Sequence, residues 1–304
     1  MSATHGHHGT AGAVHRSRLV AALVITAGVM VVELVGGLLT GSLALLADAG
    51  HMLSDSAALA IALGATWLAA RPARGRWTFG WQRAEILAAL VNGVILAVVG
   101  AVVIIEGVGR LGRPADVEAP AMLAVAAVGL LANLVCLRLL LPGRDASLNV
   151  RGAYLEVLGD LIGSVAVIVA GVVILLTGWH TADAVASIAI GVLIVPRAAM
   201  LLRDVGRVLL EAAPQDMAVE TVREHMAAVP GVVAVHDFHA WTITSGVPVV
   251  SAHVVVEDSV LAPERFCEVL DALQGCLRGH FDVTHSTLQL EPAEHEGDER
   301  RLHR

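Results

Sequence analysis

Six stretches of about twenty predominantly apolar residues constrain this chain more than any other feature. They lie at roughly 19–39, 44–69, 85–109, 119–141, 153–177 and 183–203. A helical run of that length spans the ~30 Å hydrocarbon core of a bilayer, and within lipid only helices or closed barrels pair every backbone polar group. The composition agrees: 56% of residues are hydrophobic, 16% are charged, and the mean hydropathy is +0.72. Ordinary soluble domains are less apolar and more highly charged. The expected fold is a polytopic α-helical membrane protein with six transmembrane helices.

Arginine asymmetry sets the expected orientation. Arg16 and Arg18 precede the first span, and Arg71, Arg74, Arg76 and Arg83 lie between spans two and three. Arg138, Arg144 and Arg151 flank the joint between spans four and five, and Arg203 and Arg207 follow span six. The opposite side has only Arg110 and Arg113, beside Asp116 and Glu118. Both termini are therefore expected in the cytoplasm of a multi-pass protein of the cell membrane. The formal net charge of −8 comes from acidic residues gathered in the last third. No clustered basic footprint for nucleic acid appears.

Residues 1–16 read as a disordered tail whose His5, His7, His8 and His15 either capture metal loosely or have no binding role. The tail lacks the charged n-region and cleavage site of a signal peptide. Residues 17–210 read as a six-span membrane domain. Its membrane pattern stops near Pro214, and residues 211–292 read as a small cytoplasmic α/β domain, followed by a disordered acidic tail at 293–304. MAVETVREHMAAV is amphipathic, VVAVHDFHAWTI and VPVVSAHVVVE are β-rich runs joined by TSG, PERFCEVLDALQGCLRGH is a second helix and DVTHSTLQLE a closing strand. This order suits a three-stranded sheet with helices on one face. Cys136, Cys267 and Cys276 have neither the number nor the spacing of a disulfide framework or a CxxC zinc site.

The chemistry lies in charges placed where lipid penalises them by at least ~2.5–3.5 kcal/mol each. In LLADAGHMLSDSAALA of span two, His51 and Asp55 are four residues apart and share a helix face, with Asp48 one turn earlier. In AYLEVLGDLIGS of span five, Glu156 and Asp160 repeat the spacing. Spans two and five run antiparallel, and Asp55 and Asp160 each lie near the middle of their span. The two pairs therefore meet at similar depth. One imidazole and three carboxylates suffice to hold a tetrahedral divalent ion such as Zn²⁺, leaving Asp48 to support or cap the set. Because ligands must be deprotonated, metal and protons compete for the same atoms, which is what metal-proton exchange requires.

Two other classes are set against this reading. An intramembrane metallohydrolase calls for a catalytic zinc and a general base, often as HExxH, which the chain lacks. A membrane-anchored metal sensor leaves the charges in spans two and five without a purpose. The expectation is a transporter and not an enzyme, with no organic cofactor.

LADAGHMLSD, FGWQRAEILAALVNG, LGDLIGS, VHDFHAW and SAHVVVED, in this order over nearly the whole chain, resemble the cation diffusion facilitator family of zinc and heavy-metal exporters. The resemblance implies six transmembrane helices, a cytoplasmic ferredoxin-like (metallochaperone-like) domain, a homodimer, and export of metal in exchange for protons. Carried over residue by residue, the transport site is His51, Asp55, Glu156 and Asp160. Zinc-transporting members commonly have His where Glu156 stands. Oxygen there hardens the site and admits Mn²⁺, Fe²⁺, Co²⁺ or Cd²⁺ as alternatives to Zn²⁺.

In the tail, the resemblance marks His236, His253 and His285 as ligands of a regulatory Zn²⁺ that stabilises the dimer of tails. His236 and His239 are an odd number of residues apart, so a regular strand sends them to opposite faces. The joint RPARGRWTFGWQR has Trp77 and Trp81 where some members carry metal ligands, and it contains no His, Asp or Glu.

Overall fold

A computed structural model describes residues 8–69, 71, 73–143, 148–244 and 246–294. The side chains at 8–19, 55, 57–63, 65–67, 69 and 148–153 are outside this description. His5, His7 and the acidic segment after Glu294 lie outside the described residues, as do the side chains of His8, His15 and Asp55.

The chain divides into two units, one formed by residues 1–64 and 88–202 and the other by 65–87 and 203–304. Six long helices come first: α1 His8–Thr40, α2 Leu43–Ala69, α3 Ala84–Gly112, α4 Ala119–Leu140, α5 Leu148–Thr177 and α6 Thr181–Leu209. The bounds follow the expected spans closely, and α1 takes in residues 8–16 of the segment expected as a tail. Among the described residues, five helices are long and apolar enough to cross a membrane, and α2 contributes a shorter described apolar run, Leu43–Ser54. Leu39, Ile105 and Leu176 are each more than 70% exposed. Large apolar side chains turned outward in number suit a lipid surround, where they cost nothing.

Small residues let these helices approach closely. On α3, Gly93, Gly100 and Gly107 recur every seven residues, and a Cβ on each would press on Leu202, Ile194 or Ile188 of α6 at 2.9, 3.1 and 2.7 Å. Gly191 of α6 receives Ile104 of α3 in return. Gly36 of α1 accommodates Val125 of α4, and Gly171 of α5 accommodates Leu123 of α4.

The turn between α1 and α2 shows how the start of α2 is fixed. Gly41 takes φ 72°, a left-handed conformation that stops α1 without a Cβ penalty. Ser42 Oγ accepts from Leu45 N (3.2 Å) and donates to Asp183 Oδ1 of α6 (2.6 Å). Asp183 also accepts from the backbone of Leu43 (2.8 Å) and Ala44 (3.2 Å). A carboxylate from another helix thus pairs N–H groups that α2 cannot satisfy alone. Arg110 Nη1 donates to the Gly41 carbonyl at 2.8 Å and lies 3.9 Å from Asp183 Oδ2.

In the second unit, α7 Val219–Ala227, β1 Val232–Thr242, β2 Pro248–Val256, α8 Pro263–Phe281 and β3 His285–Pro292 follow in the expected order. The sheet order is β1-β2-β3, with β1 antiparallel and β3 parallel to β2. Val222 and Met226 of α7 and Val269, Leu273 and Leu277 of α8, one or two turns apart, form a core with Val250, Ala252, Val254 and Val256 of β2. That packing leaves the other face of β2, carrying Ser251 and His253, free of the helices. Thr244 donates to Glu85 within this same unit.

Candidate metal centres

His51, on α2, and Asp160, on α5, lie 3.8 Å apart, Nε2 to Oδ1. Their side chains are 12% and 4% exposed. Asp48, one turn before His51, has its Oδ1 2.5 Å from where a Cβ on Gly163 would stand. As α2 advances from Asp48 to His51, its partner on α5 retreats from Gly163 to Asp160, so the two helices are antiparallel, as the span count requires.

Glu156, four residues before Asp160, stands on the same face of α5, half exposed. Its Oε1 lies 3.7 Å from Arg197 Nη2 of α6, and Arg197 Nη1 is 3.1 Å from His51 Nε2. Of the four residues expected to form the transport site, His51, Asp160 and Glu156 thus converge from α2 and α5, linked through Arg197. The side chain of Asp55 lies outside the described residues.

Around this group lie Asp48, singled out in the sequence, and Ser164, Asn133 and Glu33, which were not. Asp48 is 1% exposed and shares a hydrogen bond with Ser164 of α5. Ser164 Oγ accepts from Asn133 Nδ2 of α4 at 3.3 Å and so donates onward to Asp48. Glu33 of α1 is fully buried, packs its Oε1 against Gly129 of α4 and has no hydrogen-bond partner among the described residues. A lone carboxyl inside an apolar span was the available signal for Glu33, and a lone Arg inside span six was the signal for Arg197.

The tail brings together a second group. His236, His253 and Glu291 each offer a ligand atom, all within 4.8 Å of one another. Glu291 Oε1 is 2.6 Å from His236 Nε2 and its Oε2 is 3.4 Å from His253 Nδ1, with the two imidazoles 5.4 Å apart. Gln289 Nε2 also donates to Oε2 at 3.2 Å. Burial alone raises the proton affinity of Glu291. Hydrogen bonds from His236 and Gln289, with the charges of His236 and His253, outweigh burial and hold its carboxyl below the ordinary value. Two imidazoles and a carboxylate are the donor set of a three-ligand zinc site. For His236 to bind an ion through Nε2, the proton that this nitrogen shares with Glu291 must leave.

Two expectations need correction here. His285 does not join His236 and His253. It pairs with Val249 at the start of β3, four residues (about 13 Å) before the partner of His253, and its ring lies 5.6 Å from that of Phe79. Glu291, at the other end of the strand, takes the expected place. His236 and His239 also do not face opposite ways. Their partners on β2 are His253 and Ser251, two residues apart, because a bulge intervenes with Asp237 at φ 46°. The extra residue restores both histidines to one face. His239 still stays out of the cluster, with its Nε2 3.1 Å from Asp237 Oδ1.

Residues 19–210 match the family model for the cation efflux transmembrane domain, and 214–293 match the cytoplasmic domain of cation efflux proteins. The chain belongs to the cation diffusion facilitator family. It is 43% identical over 293 residues to the metal cation efflux system protein CzcD of Cupriavidus metallidurans, covering 96% of this chain and 91% of that protein. It is 44% identical over 276 residues to the zinc transporter ZitB of Escherichia coli, covering 90% and 87%. To the cadmium, cobalt and zinc/H(+)-K(+) antiporter of Bacillus subtilis it is 38% identical over 295 residues, covering 96% and 94%.

Proposed function

We propose that this protein is a secondary active exporter of divalent metal cations, with Zn²⁺ as its main substrate, that moves them out of the cytoplasm in exchange for protons. The ion is held by His51, Asp55, Glu156 and Asp160 between α2 and α5. The approach of His51 to Asp160, 3.8 Å apart on two different apolar helices, carries this reading. Acidic and imidazole groups do not gather among such helices without functional reason.

Six membrane crossings, both termini in the cytoplasm, a place in the cell membrane and a homodimer joined through a ferredoxin-like tail complete the reading. The helix bounds, the arginine asymmetry and the sheet order with β3 parallel to β2 support these features. In the tail, His236, His253 and Glu291 hold a regulatory Zn²⁺. The names of the CzcD, ZitB and Bacillus relatives support metal transport, CzcD's supports efflux, and the last of these supports exchange against another cation. Cd²⁺ and Co²⁺, which that relative's name includes, are the first alternatives as substrate, followed by Mn²⁺ and Fe²⁺ on the strength of the Glu156 oxygen.

Liposomes containing the purified protein test this directly. An imposed proton gradient drives Zn²⁺ across the membrane, and Asp160→Ala or Asp55→Ala stops the movement. Full transport by both variants removes the assigned site.

A further inference from the structure

We infer that Arg197 is a built-in rival of the transported ion: its guanidinium takes the metal's place between His51 and Glu156 and withdraws when an ion binds. This rests on the site assigned under Proposed function.

Arginine has only donors and stays charged in any protein setting. Its Nη1, 3.1 Å from His51 Nε2, therefore donates to a lone pair on that nitrogen. A metal uses this same lone pair, so the two contacts exclude each other. The second fork of the guanidinium reaches Glu156 Oε1 at 3.7 Å. One positive group thus engages a ligand from α2 and a ligand from α5, at the same His51 nitrogen that stands 3.8 Å from Asp160 Oδ1.

Two features give the side chain freedom to leave. It is 44% exposed. Pro196 immediately precedes it within α6 and has no N–H to give the Val192 carbonyl, which removes one rung of helix bonding beside Arg197. The consequence for transport is twofold. An arriving divalent ion displaces a cation already in place, which lowers net affinity and speeds release. After release the guanidinium returns, so acidic side chains among apolar helices are not left without positive charge on the way back.

The test uses full-length protein in lipid nanodiscs with Co²⁺ as an optical probe and Zn²⁺ as competitor. Asp160→Ala serves as the blank that subtracts binding to the tail. Arg197→Gln is expected to bind metal at the membrane site about tenfold or more tighter than wild type and to turn over more slowly in liposomes. Arg197→Lys, which keeps the charge, stays within a few-fold of wild type. Melting temperatures confirm that the variants are folded. Unchanged or weaker binding by Arg197→Gln overturns the rivalry while leaving the metal site intact. Absence of Asp160-dependent binding in the wild type removes the site itself, and the rivalry with it.

Discussion

Asp183, in the first turn of α6, accepts a 2.8 Å hydrogen bond from the backbone N–H of Leu43, the first residue of α2. With the contacts to Ser42 and Ala44, one buried carboxylate serves two donors on another helix and one in the turn before it. Asp183→Ala leaves those donors buried and unmatched, at about 1–3 kcal/mol. The expected result is a lower melting temperature of the detergent-solubilised protein, with Asp183→Asn falling between. A melting temperature equal to wild type removes this contact as a determinant of stability.

The proposed place of Glu156 in the site makes a prediction about which ion is chosen. Glu156→His exchanges a hard oxygen for a borderline nitrogen and dissolves the contact with Arg197. In a liposome metal panel, the ratio of Zn²⁺ to Mn²⁺ movement is expected to rise several-fold. An unchanged ratio takes selectivity away from this position.

Two glycines on α5 make a contrasting pair. A Cβ at Gly163 meets Asp48 Oδ1 at 2.5 Å, whereas one at Gly159 meets nothing within 4 Å. Gly163→Ala pushes Asp48 away from Ser164 and is expected to cost about 1–3 kcal/mol through overpacking. Gly159→Ala is expected to be neutral or to stabilise by up to about 1 kcal/mol from helix propensity. Thermal unfolding of the two variants side by side checks the contrast, and equal effects refute it.

The tail predicts an asymmetry between histidines. Metal content of the full-length protein, measured after dialysis against Zn²⁺, should fall in His253→Ala and Glu291→Gln and stay constant in His285→Ala. A loss in His285→Ala alone restores the expectation drawn from sequence.

Glu291 also predicts a pH dependence. Its folded carboxyl titrates below the ordinary value of 4.5. The unfolded chain therefore binds the proton more tightly, and the stability Glu291 contributes is present above about pH 4.5 and lost as pH falls through its folded value. Wild type should exceed Glu291→Gln in stability at pH 6 by a margin that closes on acidification. A margin that widens with acid contradicts the assignment.

Much of this was legible in the order of residues. Paired His51/Asp55 and Glu156/Asp160 announce themselves because helical periodicity turns a spacing of four into one face, and lipid makes the charge conspicuous. The element order of the tail was equally readable, since strands and amphipathic helices have different periods. What escaped depended on distant geometry. Glu33 and Arg197 have no partner at helical spacing, and their neighbours come from other helices. Glu291 joins His236 only through the parallel pairing of β3 with β2. The left-handed Asp237 shifts the parity of β1 by one residue, which a rule of alternation cannot foresee.

That parallel pairing carries a consequence for biogenesis. Strand β3 is translated after every other element of its domain, so the carboxylate that completes the imidazole pair arrives only once the whole domain has been made and has closed. The proposed ion would therefore act as a seal on finished assembly, and a polypeptide halted upstream of β3 has nothing with which to apply it.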